Sequence, residues 1–317
     1  MTMSAFRWGA LAAFTFTLFC VMPAQAQSVY WVKSNGDDGN PCTFSQPCAT
    51  IQGAYNVAPA GSEIRCVNAA SYDTNAFAIA HSITIDCTEA PATIAGFLIN
   101  TGVNAVVVLR GLDINAFRED VGGIFPVDFI GGGTLILDKV KVAGWQNAGG
   151  GLGIRPSRTA TVLVSNSFIA DNGSGGNVLI RPTGSAPLAV TFKNDTISNS
   201  VFGIKADGSG QASGQVDVDV NDSVAAGNAN NGFIAVSNAG QAPIHFKVTH
   251  SVAFNNGAYG VVATGAEAFM IVDNSSLTKN GTGLAQLSDA TVATYGNVAV
   301  NYNTTQITGT ITPISLH

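Results

Sequence analysis

Charge is scarce in this sequence: only 11% of its 317 residues are Asp, Glu, Lys or Arg, and the formal balance is −6. So sparse and mildly acidic a chain lacks the basic stripe that grips a phosphate backbone, so no nucleic-acid partner is expected. Beyond residue 27 there is no apolar run long enough to span a bilayer as a helix, so no membrane span is expected. No stretch after the repeats described below is long enough for a membrane barrel. Cysteines are few, and none of those after Cys20 forms a CxxC pair, which argues against zinc. Gly149-Gly150-Gly151-Leu152-Gly153 opens no helical pattern and reads as a turn, not a nucleotide loop. His245 and His250 lie five apart on an extended segment and so face opposite sides, which does not suit a shared metal. No metal site is expected.

What is present begins with a targeting signal. Arg7, the apolar run from Leu11 to Val21 and the small residues of Ala24-Gln25-Ala26 have the form of a signal peptide, residues 1–26, cleaved near Ala26. Phe19 stands where a lipidated cysteine needs a small neighbour, so Cys20 reads as filler. The expected location is periplasmic or secreted. Cys42, Cys48, Cys66 and Cys87 then remain, an even number that an oxidising compartment would pair in one of three ways. The favoured pairing is Cys42–Cys48, closing a short turn, with Cys66–Cys87. The latter two end the similar segments Glu63-Ile64-Arg65-Cys66 and Thr84-Ile85-Asp86-Cys87, which could occupy neighbouring rungs.

The strongest signal is a repeat. Short alternating segments end at Leu137, Val164, Phe192, Val220, Val248 and Val272, in steps of 27 or 28 residues and a last step of 24. Residues two before them (Leu135, Val162, Val190, Val218, Phe246 and Met270) share their face. A further apolar column runs through Val142, Ile169, Ile197, Ala225, Ala253 and Leu277. Asn172, Asn228, Asn256 and Asn280 follow at a turn, and a glycine then introduces a third short strand, as in Gly153-Ile154, Gly203-Ile204 and Gly260-Val261. One such unit cannot bury its apolar side alone, whereas stacked units make a continuous core. The expected fold is all-β: a single-stranded, right-handed parallel β-helix of roughly 28-residue coils. Blades of a propeller are longer, and a leucine-rich pattern is absent.

Ile51, Ala54, Tyr55 and Ala58 are spaced for a short amphipathic helix stopped by Pro59-Ala60-Gly61. The expected organisation is therefore an N-terminal cap with its helix over 27–62 and the β-helix over 63–296. A polar, Thr-rich segment at 297–317 would form an irregular last rung.

Several stretches resemble a known family. They include Asn35-Gly36-Asp37-Asp38-Gly39-Asn40-Pro41-Cys42, Pro47-Cys48-Ala49-Thr50-Ile51-Gln52, Val108-Leu109-Arg110-Gly111-Leu112-Asp113-Ile114-Asn115 and Asp222-Ser223-Val224-Ala225-Ala226-Gly227-Asn228. Together they look like the secreted right-handed β-helix repeat proteins of proteobacteria, within the pectin-lyase-like superfamily. The resemblance covers essentially all of the chain after the signal and implies the fold. It implies little about activity, because that superfamily holds lyases, hydrolases, adhesins and inert scaffolds. Its galacturonases use Asn-Thr-Asp, Asp-Asp, Gly-His-Gly and Arg-Ile-Lys segments. Here the only paired aspartates are Asp37-Asp38, which precede the coils and suit a cap or turn.

Two constellations could carry function. Asp217 and Asp219 alternate outward from one strand, with His245 and Lys247 at the equivalent places one coil later. They are the candidate catalytic set, with calcium as the conceivable cofactor; the plainer reading is cross-strand ion pairing. Arg155, Arg181 and Lys205 follow isoleucines on three successive coils and would stack as a ladder of cations about 5 Å apart. They are the candidate ligand-binding set, for acidic polysaccharide, and would point into solvent with little weight in stability. The expected function is a non-catalytic secreted glycan-binding or scaffold role, the alternative a lyase or glycoside hydrolase acting on acidic polysaccharide.

Overall fold

The computed structural model describes residues 28–115, 125–146 and 149–315. The expected signal peptide lies outside them. The chain passes through three parallel sheets in rotation. The first sheet has twelve strands, from Val29–Val32 to Ile311–Pro313. The second and third have ten each, running from Ala70–Asp73 to Ala299–Asn301 and from Phe77–Ile79 to Thr305–Thr308. This is a parallel β-solenoid, the expected architecture.

The strand registers reproduce the inward columns. Leu137, Val164, Phe192, Val220, Val248 and Val272 lie side by side in the first sheet, as do Leu135, Val162, Val190, Val218, Phe246 and Met270. None is more than 2% exposed. Each contributes about 1.5–3 kcal/mol by leaving water. The column from Val142 to Leu277 stacks in register in the same way in the second sheet.

Two corners are built from polar ladders. Between the first and second sheets a single residue takes a left-handed backbone, as at Asn166, Asn194, Asp222 and Asn274 (φ 52°, 59°, 51° and 43°). Asn and Asp tolerate this conformation better than other non-glycine residues. The next residue is Ser167, Asp195, Ser223, Ser251 or Ser275, and the backbone N–H of each of the first four donates to the side chain of its successor. After the second sheet, the Asn228 side chain donates to Asn256, Asn256 to Asn280 and Asn280 to Asn303, at 2.9, 2.9 and 3.0 Å. Ser200 occupies this column between Asn172 and Asn228, and Asn177 bridges the gap from within the turn. It accepts from Asn172 at 3.0 Å and donates to Asn228 at 3.2 Å. Buried amides thus find partners along the whole column, as burial requires.

Both ends differ from the sequence expectation in detail. Val29–Val32 precedes the helix Ile51–Val57 and pairs with Ser62–Cys66, so the first sheet starts before residue 63. The helix buries Ile51, Ala54 and Tyr55. Thr50 caps it, accepting from Gly53 N, while the Asp73 carboxylate accepts from Ile51 N and Gln52 N at 3.0 and 3.2 Å. Asp38 receives Ala49 N and Thr50 N, the capping role read for that pair of aspartates. At the other end, residues 299–313 complete a further turn instead of an irregular rung. Val300, Ile307 and Ile311 fall in register with Leu277, Leu284 and Val292. Their inward alternation is hard to read among so many threonines. Cys42–Cys48 and Cys66–Cys87 are both bonded, as favoured.

Candidate functional site

The first sheet carries Asp217, Asp219, His245 and Lys247 on its outer face, and the register sets Asp217 beside His245 and Asp219 beside Lys247. Alternation along Val216–Asn221 and Ile244–Thr249 explains this, because valines and phenylalanine take the inward positions. Gln215 Nε2 donates to Asp217 Oδ1 at 2.5 Å and lies 3.1 Å from His245 Nδ1, which is itself 3.5 Å from Asp217 Oδ1. Lys247 makes no ion pair among the described residues, and Asp219 Oδ1 is buried with no hydrogen-bond partner. One coil further, Phe269 stands beside His245 and Ile271 beside Lys247. One coil back, Ala189 and Thr191 flank the aspartates. Together they line a hollow of about 340 Å³. Among the described residues no three His, Cys, Asp or Glu converge as a metal site would.

The third sheet carries the cations, and here the register corrects the expected ladder. Ile154 pairs with Ile180, which places Arg155 beside Arg181. Ile180, however, pairs with Ala206 and Leu179 with Lys205, so Asp207 takes the place expected for Lys205. A shift of two residues along a strand keeps every side chain on its face, so alternation alone cannot detect it.

Nor is the set an array of free charges. Arg155 holds Asp128 through two bonds, Nε–Oδ1 at 3.1 Å and Nη2–Oδ2 at 2.5 Å, and its guanidinium lies 5.1 Å from the Phe125 ring centre. The Asp128 side chain is 6% exposed and that of Arg155 is 23% exposed. This arginine is therefore partly structural, contrary to the expectation of a solvated side chain. Removing it would strand a buried carboxylate. Lys205 Nζ lies 3.0 Å from Asp207 Oδ2, and Ser209 N donates to Oδ1 at 3.0 Å. Burial pushes the Asp207 carboxyl up, but those hydrogen bonds and the Lys205 charge outweigh it and hold the group below its ordinary value. Arg181 alone of the three is exposed and has no acidic partner among the described residues.

The hollow around these residues measures about 510 Å³, and Phe125 and Phe202 form part of its wall. Both rings sit over glycines: a Cβ on Gly153 would come within 2.5 Å of Phe125, and one on Gly176 within 2.4 Å of Phe202. Sequence reasoning missed Asp128, Phe125 and Phe202. Their signal was the unexplained Gly153 and Gly176, small residues on a surface strand and turn that leave room for a ring.

No protein-family model matches the chain, and no curated protein matches it. Among solved structures, the crystal structure of pectate lyase Pel9A is 17% identical over 87% of this chain and 79% of its own, with a TM-score of 0.59. A rhamnogalacturonan lyase is 14% identical over 84% and 75% (TM-score 0.48), and a GH136 lacto-N-biosidase from Eubacterium ramulus is 10% identical over 90% and 68% (TM-score 0.39). Likeness at such identities concerns fold alone. The chain shares its parallel β-helix fold with pectate lyase Pel9A.

Proposed function

We propose that this is an extracytoplasmic glycan-binding protein whose third-sheet hollow holds an acidic polysaccharide without cleaving it. The observation that carries this reading is Arg181, an exposed cation with no acidic partner among the described residues, in a hollow walled by Phe125 and Phe202. A guanidinium pairs with a carboxylate bidentately, and the rings offer apolar surface to the C–H faces of a sugar. The two acids nearest the hollow are engaged, Asp128 by Arg155 and Asp207 by Lys205 and Ser209. Neither is therefore free to serve as a general acid or base. Location outside the cytoplasm agrees with two disulfides, which persist where conditions are oxidising.

The test is titration with uronate oligomers across a salt series. Wild-type affinity falls as salt rises, because exposed charges are screened beyond about 8 Å at physiological ionic strength. Arg181→Ala weakens binding about tenfold, equivalent to about 1.4 kcal/mol, with an unchanged melting temperature. Absent or salt-independent binding overturns the proposal.

The second reading, a lyase or hydrolase, rests on the outward Asp217, Asp219 and unpaired Lys247. Polygalacturonate and alginate, with and without calcium, are the substrates to assay. Turnover that disappears in Asp219→Ala would reverse the ranking.

A further inference from the structure

We infer that the first-sheet hollow is a second, separate sugar site, and that its ligand is a neutral pyranose. The inference rests on that hollow's own geometry and stands whether or not the third-sheet hollow takes an acidic glycan.

Four features point to this chemistry. The floor is partly apolar, with Phe269 and Ile271 half-buried on adjacent outward positions. Such a surface suits one C–H face of a sugar ring. Beside it, Gln215, Asp217 and His245 form a hydrogen-bonded chain on one rim. Gln215 and Asp217 occupy the Nδ1 edge of His245, which leaves its Nε2 for a ligand. Across the hollow, Lys247 offers donors without an ion-pair partner among the described residues, and on the near rim the half-exposed Asp217 carboxylate keeps acceptor capacity. A hydroxyl both donates and accepts, so one sugar can satisfy both groups, whereas a purely anionic or cationic ligand satisfies one and opposes the other. Finally, charges of both signs are interleaved around a volume of about 340 Å³. Two carboxylates repel phosphate and uronate, and the size is that of a small-molecule site.

The two hollows therefore divide by charge. The third-sheet site would select a carboxylate through Arg181, and the first-sheet site would reject one. They lie on different faces of one rod, so a single molecule could hold two unlike glycans at once.

The experiment uses the full chain after signal removal and a panel of neutral oligomers of glucose, galactose, mannose, xylose and N-acetylglucosamine, with a uronate oligomer alongside. Binding is titrated at low and high salt in wild type, Asp217→Ala, Lys247→Ala, Phe269→Ala and Arg181→Ala, with a melting temperature for each. The expected result is that at least one neutral oligomer binds with little salt dependence. Asp217→Ala and Phe269→Ala each lower that affinity about tenfold or more, equivalent to about 1.4 kcal/mol. Lys247→Ala, which removes only an exposed side chain, lowers it without any change in melting temperature, and Arg181→Ala leaves it intact. The proposal is overturned if no neutral oligomer binds, if the first-sheet variants retain binding, or if neutral binding follows salt and Arg181. Uronate binding alone, lost in Arg181→Ala, would refute the second site and leave the first proposal standing.

Discussion

Asp195 occupies a place in the corner column that Ser167, Ser223, Ser251 and Ser275 hold elsewhere. Its carboxylate accepts from Ser167 N and Lys193 N at 2.8 and 2.9 Å, yet it is only 2% exposed. Burial raises its pKa from 3.8 to about 6 against the pull of those two donors, and nearby Asp138 adds to the rise. Asp73, under the helix N-terminus, is raised to about 6 for the same leading reason. A carboxyl whose folded pKa exceeds its unfolded one favours folding in its protonated form. Its contribution is full below about pH 4 and is lost as pH rises through about 6. For a shift of about two units the loss amounts to about 3 kcal/mol at most. Asp195→Ser, which copies the other members of the column, should therefore reduce the fall in melting temperature between about pH 4 and pH 6.5. Asp73 should keep part of that fall in place. Asp86 and Asp207, whose values are lowered, act only under more acid conditions. Melting curves of wild type and variant across this window decide the matter; parallel profiles would mean that Asp195 is not the titrating group.

At the scale of the element, the asparagine ladder and the third-sheet strands are built for each other. Gly203, Gly232, Gly260 and Gly283 bring those strands close to the ladder amides. A Cβ on Gly260 would lie 2.7 Å from Gly283 O and 2.8 Å from Asn280 Nδ2, with a similar squeeze at Gly232. The backbone there is not left-handed, so space is the constraint and not conformation. Gly260→Ala should cost about 1–3 kcal/mol through overpacking. Gly240→Ala provides a comparison with open space around it, although its φ of 79° adds its own strain. Chemical denaturation of the Gly260 variant reads the cost directly, and an unchanged midpoint would show that the ladder yields freely.

The whole molecule is quasi-one-dimensional, because each coil contacts mainly its neighbours. Damage in the middle should spread along the axis, and the N-terminal end is held independently by Cys42–Cys48, Cys66–Cys87 and the capping helix. Val220 is fully buried between Phe192 and Val248 in the first-sheet column. Val220→Asp places an unpaired charge there, which the core cannot solvate. Hydrogen exchange should show protection lost over several coils around residue 220, while strands near Cys66 and Cys87 retain theirs. Uniform loss along the chain would indicate all-or-none unfolding, and unchanged protection would mean that the column tolerates a charge.

The sequence alone determined the coil length, the inward columns and the corner asparagines, and among three possible pairings it favoured the disulfides that the structure shows. Each of these follows from alternation along a strand or from a repeated step, both of which are local and periodic. It also brought Asp217 beside His245 and Asp219 beside Lys247, because the 28-residue step is regular there. Only the tertiary structure decided the third-sheet register, since a slip of two residues preserves every inward and outward assignment. That slip separates Lys205 from the column of Arg155 and Arg181 and brings Asp207 into it. It likewise took the folded chain to show that Asp128 neutralises Arg155, that Asn177 repairs the ladder across Ser200, and that Phe125 and Phe202 wall the same hollow. Those partners come from different coils, where neither periodicity nor composition indicates which side chains meet. Contact between them is fixed by how the coils stack, and stacking is settled by hydrogen bonds and packing that act between turns of the chain.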